Sequence, residues 1–94
     1  METIDFAGLL VLKFYSNSCA PCKRITPILE KMKKEFQDVK IYSLNIEEEY
    51  KLAKQFKIMS VPTLLFMNGE HEANRLEGLV NTETIRKAFK GLKG

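Results

Sequence analysis

The sequence predicts an α/β fold, a four-stranded mixed sheet with helices on both faces. Apolar runs of strand length alternate with stretches of helical period, the pattern of strand–helix–strand units. Asn68-Gly69 marks a hairpin late in the chain, because both residues tolerate positive φ. The hairpin adds antiparallel strands to a sheet begun by a parallel crossover. Ninety-four residues, 45% hydrophobic and 29% charged, describe one soluble domain spanning 1–94 with a single lean core.

Each element has its own signal. Leu9 to Tyr15 is nearly continuous in apolar residues, as a strand covered on both faces is. After Cys19, the residues Ile25, Ile28, Leu29, Met32 and Phe36 recur at helical spacing, with Lys31, Lys33, Lys34 and Glu35 on the other side. Pro27 falls inside that helix and is expected to bend it, since proline removes one backbone bond. Val39 to Leu44 reads as a second strand. Glu47-Glu48-Glu49 favours a helix N-terminus, followed by an apolar stripe of Leu52, Ala53 and Phe56.

Pro62 opens a third strand, Thr63 to Met67, and the turn leads to a fourth around Ala73 to Leu76 that Gly78 ends. Asn81 or Thr82 caps a last helix whose Ile85, Ala88, Phe89 and Leu92 face the sheet. The single parallel crossover is expected to be right-handed. Met1 to Gly8 leaves room for at most a short extra edge strand.

Charge and composition exclude several function classes. The net charge of +3 is mild, and the lysines alternate with glutamates, whereas nucleic-acid binding calls for a concentrated basic stripe. The apolar run is too short to span a membrane, and the N-terminus lacks the basic region of a secretory signal. No lipidation signal ends the chain. The expected location is cytoplasmic, where a cysteine pair is more often catalytic than structural.

That pair is Cys19-Ala20-Pro21-Cys22, directly after the first strand. If a helix opens at Cys19, the two thiols share a face about 5–6 Å apart. This lies within the roughly 4.4–6.8 Å Cα separation that a disulfide tolerates. The helix start supplies partial positive charge and free N–H groups that stabilise a thiolate on Cys19. Cys22, one turn inside, is more shielded and better placed to attack a mixed disulfide than to start one. Pro21 sits where helices accept proline. A zinc or iron–sulfur site needs about four ligands, and the chain offers only one histidine, His71, besides these cysteines. No metal site within one chain and no other cofactor is therefore expected beyond the redox-active Cys19–Cys22 pair, while a metal bridging two chains stays open.

The order and spacing of Phe14-Tyr15, Cys19-Ala20-Pro21-Cys22-Lys23, Pro27, Leu44-Asn45-Ile46, Val61-Pro62-Thr63, Asn68-Gly69 and Gly78 resembles the thioredoxin family, over roughly Leu9 to Leu92. The resemblance implies the thioredoxin fold. It also implies protein-disulfide reduction with Cys19 as nucleophile and Cys22 as resolving thiol. It further implies a cis peptide bond before Pro62, where sequence physics alone expects trans. The residues implied for substrate binding are Val61, Pro62, Ala20 and Pro21, with the Val61 backbone pairing an extended substrate strand.

The chain departs from the family at three places. Ser18 and Ala20 stand where tryptophan and glycine are usual, which removes a large apolar contact and alters the choice of partners. Lys13 occupies the position of a buried acid that relays protons to the second cysteine, and Ser43 replaces that acid's lysine partner. Two readings of Lys13 stay open. Its stem packs while its ammonium reaches water, or a partly buried amine of lowered pKa accepts the Cys22 proton.

The expected partners are disulfide-containing proteins and a thioredoxin reductase or equivalent electron donor, served by a monomer acting in electron transport and cell redox homeostasis. Two alternatives remain. One is a glutaredoxin-like protein drawing electrons from glutathione, and the other is a thioredoxin-fold binding module whose cysteines only lock its shape.

Overall fold

The computed structural model describes residues 3–94. Its elements are β1 (Leu9–Tyr15), α1 (Ala20–Glu35), β2 (Lys40–Asn45), α2 (Tyr50–Gln55), β3 (Thr63–Asn68), β4 (His71–Glu77) and α3 (Thr82–Lys93). They form one four-stranded sheet in the order β2-β1-β3-β4. β1 runs parallel to β2, with Leu10 opposite Lys40 and Tyr15 opposite Asn45, and antiparallel to β3, with Phe14 opposite Thr63. β3 and β4 form the antiparallel hairpin across Asn68 and His71, irregular in register between Phe66 and Met67.

The period of a strand sends alternate side chains to opposite faces, so β1 feeds two cores. Leu10, Leu12 and Phe14 pack with Leu44, Leu65, Met67 and Ala53 of α2, closed by Ile4 and Phe6. On the other face Val11 joins Leu64 and Phe66 of β3, Ile25, Leu29 and Met32 of α1, and Ile85, Phe89 and Leu92 of α3. Phe89 sits edge-on to Phe66 and stacks on Phe36, both at 5.2 Å between ring centroids. The mixed sheet with helices on both faces is the predicted architecture.

Helix ends follow capping chemistry. The Asn81 side chain accepts the Thr84 N–H at 2.8 Å, which settles the cap of α3 on Asn81. α1 continues through Pro27. α2 begins at Tyr50 with Glu49 as its N-cap, so the glutamate run marks the helix N-terminus as expected. The Asn45 side chain accepts the Glu47 N–H at 2.8 Å and holds that residue in a turn.

The extra N-terminal edge strand does not form over residues 3–8, and residues 1–2 lie outside the described residues. Asp5 explains the difference. Its side chain accepts the Ala7 N–H at 3.0 Å, bending the segment back on itself, and it pairs with Lys40 at 3.1 Å.

Phe89 is wholly buried and joins α3 to both α1 and β3. Phe89→Ala is therefore expected to lower stability by about 3–5 kcal/mol in urea unfolding. A loss below about 1 kcal/mol would show that α3 is not held by this contact.

Candidate active site

Three chain segments meet at one end of the sheet because of its register. β1 ends at Tyr15 and passes through Ser16, Asn17 and Ser18 into α1. Pairing of Phe14 with Thr63 brings the segment before β3, which holds Val61 and Pro62, to the same end. Pairing of Tyr15 with Asn45 brings the exit of β2 there as well. Asn45 donates its side-chain amide to Asn17 at 3.0 Å, tying the exit of β2 to the segment before Cys19.

Cys19 and Cys22 form a disulfide with a Cα separation of 5.3 Å. Cys19 is the N-cap of α1, and its Sγ accepts the Cys22 N–H at 3.2 Å. Proline at the helix start costs no hydrogen bond. After reduction, the N-cap geometry offers a Cys19 thiolate a backbone donor and the positive end of the helix dipole. The contrast in exposure between the two thiols is smaller than the sequence suggests, with Cys19 at 7% and Cys22 at 3%. Ala20 and Pro21 between them are exposed.

The Val61-Pro62 bond is cis. Thr63, fully buried, donates its hydroxyl to the Ser60 carbonyl at 2.7 Å, and the Gly78 N–H donates to the Pro62 carbonyl at 2.9 Å. Two hydrogen bonds from different segments thus fix this loop. Gly78 makes its bond with φ at +79°, a conformation that favours glycine.

Lys13 lies on the β1 face that carries Val11, toward α1. As a whole residue it is only 6% exposed. It ends in a cleft of about 340 Å³ shared with Cys22, Lys23, Asn17 and Ser43. There Nζ donates to the Thr26 hydroxyl at 2.8 Å and lies 5.4 Å from the Tyr15 ring centroid. The Thr26 hydroxyl in turn donates to the Cys22 carbonyl at 3.4 Å. Burial lowers the Lys13 pKa below its ordinary value, partly opposed by the charge of Glu30.

Ser43 faces Lys13 across the β1–β2 ladder, but the hydrogen bond goes to Thr26. Sequence reasoning missed Thr26. Its signal is its place four residues after Cys22, on the same helical face.

Among the described residues, no group of three or more His, Cys, Asp or Glu side chains could hold a metal ion. No helix is long and apolar enough to cross a membrane.

A capped cysteine pair beside a cis-proline loop is suited to thiol–disulfide exchange, and comparison with known proteins agrees. The thioredoxin family model matches residues 2–91. The chain belongs to the thioredoxin family. It is 35% identical to thioredoxin-2 of Saccharomyces cerevisiae over 81 residues, covering 86% of this chain and 77% of that protein. It is 36% identical to the thioredoxin of Chlamydia pneumoniae over 79 residues, covering 84% of this chain and 78% of that one. Among solved structures, oxidised mitochondrial thioredoxin 3 of Saccharomyces cerevisiae superposes with a TM-score of 0.84 at 26% identity, covering 90% of this chain and 79% of that one. The protein is a thiol–disulfide oxidoreductase of the thioredoxin type, a class that acts on protein disulfides and is served by a reductase.

Lys13 carries a measurable consequence for stability. Its depressed pKa means that the folded chain binds this proton more weakly than the unfolded chain. The unfolded chain therefore holds the extra proton between the folded pKa and 10.5, and stability rises with pH across that window. Below the window, the full cost of the buried charge is present. Lys13→Met is expected to raise stability at neutral pH, because it removes the desolvated charge, and the gain should shrink as pH approaches 10.5. Urea unfolding of both proteins from pH 6 to pH 10.5 checks this. A variant less stable than the parent at neutral pH would show that the ammonium stabilises the fold.

Proposed function

We propose that this protein reduces protein disulfides with Cys19 as nucleophile and Cys22 as resolving thiol. The observation that carries the assignment is the cap of α1, where the Cys22 N–H points at the Cys19 sulfur. The Cys19 thiolate attacks one sulfur of the partner's disulfide, forms a mixed disulfide and releases the partner's first thiolate. Cys22 then loses its proton and attacks Cys19, closing the Cys19–Cys22 bond and releasing the second thiolate. Two electrons pass to the partner, and a reductase returns them.

Ala20, Pro21, Val61 and Pro62 form the substrate face, with the Val61 backbone pairing an extended segment of the partner. Recognition through backbone groups demands little of the partner's side chains, which suits a carrier serving many proteins. Lys13 takes the proton that Cys22 loses. Its desolvated amine lies one hydroxyl away from the Cys22 carbonyl, through Thr26. The molecule acts as a monomeric single domain in the cytoplasm, in electron transport and redox homeostasis, with a thioredoxin reductase as donor and no cofactor besides its own cysteines.

An insulin-reduction assay run with thioredoxin reductase and, separately, with glutathione tests the donor. Turnover with the reductase and at least tenfold less with glutathione is expected. The reverse order would make the protein glutaredoxin-like, and turnover with neither would leave a binding module.

The roles of the two thiols are tested by trapping. Cys22→Ser should retain mixed disulfides with partner proteins on a column, because release requires the second thiol. Cys19→Ser should retain none, and equal retention by both would overturn the assignment.

A further inference from the structure

Lys13 is a charged group that the fold encloses without supplying a counter-ion. Its ammonium has three N–H donors, yet its hydrogen bond goes to one neutral acceptor, the Thr26 hydroxyl. Among the described residues no carboxylate forms an ion pair with it, and Glu30 acts on it only through space. A buried charge is costly unless it is paired.

The surroundings leave room for a partner from outside. The cleft of about 340 Å³ beside Cys22 adjoins a second of about 170 Å³. The two share Lys13, Thr26 and Ser43 as common walls. Lys23 lines the end near Cys22, and Lys33 lines the far end with Glu30. Three ammonium groups and one carboxylate thus border the trench that the two adjoining clefts form. The larger cleft lies at the lower end of the roughly 300–1,000 Å³ typical of small-ligand pockets.

We propose that this trench is a binding site for a small carboxylate-bearing molecule, whose carboxylate pairs with the Lys13 ammonium while its body lies toward Cys22. The charge balance favours a carboxylate over a phosphate. One negative charge pairs the one buried cation, Lys13, whereas Lys23 and Lys33 are exposed, so a second negative charge would meet only solvated ammonium groups, which contribute little. Ser16, Asn17, Thr26 and Ser43 supply neutral donors for the rest of the ligand. Free organic acids and low-molecular-weight peptide thiols both carry the required group.

The test is a titration of the oxidised, isotope-labelled protein followed by amide NMR shifts. The probes are sodium acetate, S-methylglutathione (which cannot exchange thiols) and sodium phosphate, with sodium chloride at matched ionic strength. Saturable shifts at Lys13, Thr26 and Ser43 are expected with acetate or S-methylglutathione. Lys13→Met should weaken that binding at least tenfold, and Lys33→Gln, at an exposed position, two- to threefold. Tighter binding of S-methylglutathione than of acetate, with shifts extending to Cys22 and Lys23, identifies the peptide-thiol source. Equal binding identifies free organic acids. Shifts with chloride matching those with acetate, phosphate binding as tightly as either carboxylate, or carboxylate binding that survives Lys13→Met would each overturn the proposal.

Discussion

β1 is hydrogen-bonded on both edges and covered on both faces, and the rest of the molecule is arranged around that double constraint. Its pairing with β2 is parallel and its pairing with β3 is antiparallel, so it sets the mixed character of the sheet. Its alternation divides the interior, with Leu10, Leu12 and Phe14 toward α2 and Val11 toward α1 and α3. Its C-terminal end delivers the chain to Cys19, and its register places Pro62 at the same end. A one-residue slip of β1 would exchange the two faces. Leu12 would then lie against α1, and Lys13 would enter the apolar core under α2. The position of Lys13 is therefore tied to the register of the central strand.

The central elements were legible in the sequence because burial on both faces leaves a continuous apolar signature. The expected bounds of β1 are the observed ones. β4 was harder to bound. Its sequence, HEANRLE, belongs to an edge strand that is exposed over most of its length, so it carries little of the alternation that marks a half-buried strand. Its full extent, His71 to Glu77, follows from pairing with the apolar β3. The start of α2 was legible in the glutamate run, which ends at the N-cap Glu49, whereas the contact by which Asn45 holds Glu47 in a turn is one that local pattern does not reveal.

The site shows the same division. Cys19 and Cys22 announce themselves by spacing, and their capping geometry follows from helix chemistry. The cis bond at Pro62 came from family resemblance and not from propensity. The Lys13–Thr26 contact joins residues 13 apart on different elements and depends on how α1 lies across β1. Ser43, read as standing opposite Lys13, is indeed its neighbour in the ladder, but the hydrogen bond goes to Thr26. Ladder neighbours fix backbone distance, whereas a four-carbon stem carries its ammonium well beyond them.

A lysine at this position also reverses the electrostatics around Cys22. An acid beside the resolving thiol opposes the thiolate while ionised and must be protonated to relieve the repulsion. An amine works in the other sense, because transfer of the Cys22 proton to Lys13 turns a neutral pair into a thiolate and an ammonium that attract each other. Stabilising the thiolate stabilises the reduced form of the pair, which moves a dithiol toward oxidising behaviour. The same transfer requires Lys13 to begin as a neutral amine, and the burial that lowers its pKa favours that state. A carboxylate in the trench has the opposite effect, since it holds Lys13 as an ammonium and removes it as a proton acceptor. The two roles proposed for Lys13, accepting the Cys22 proton and pairing a carboxylate, thus require opposite protonation states of one side chain.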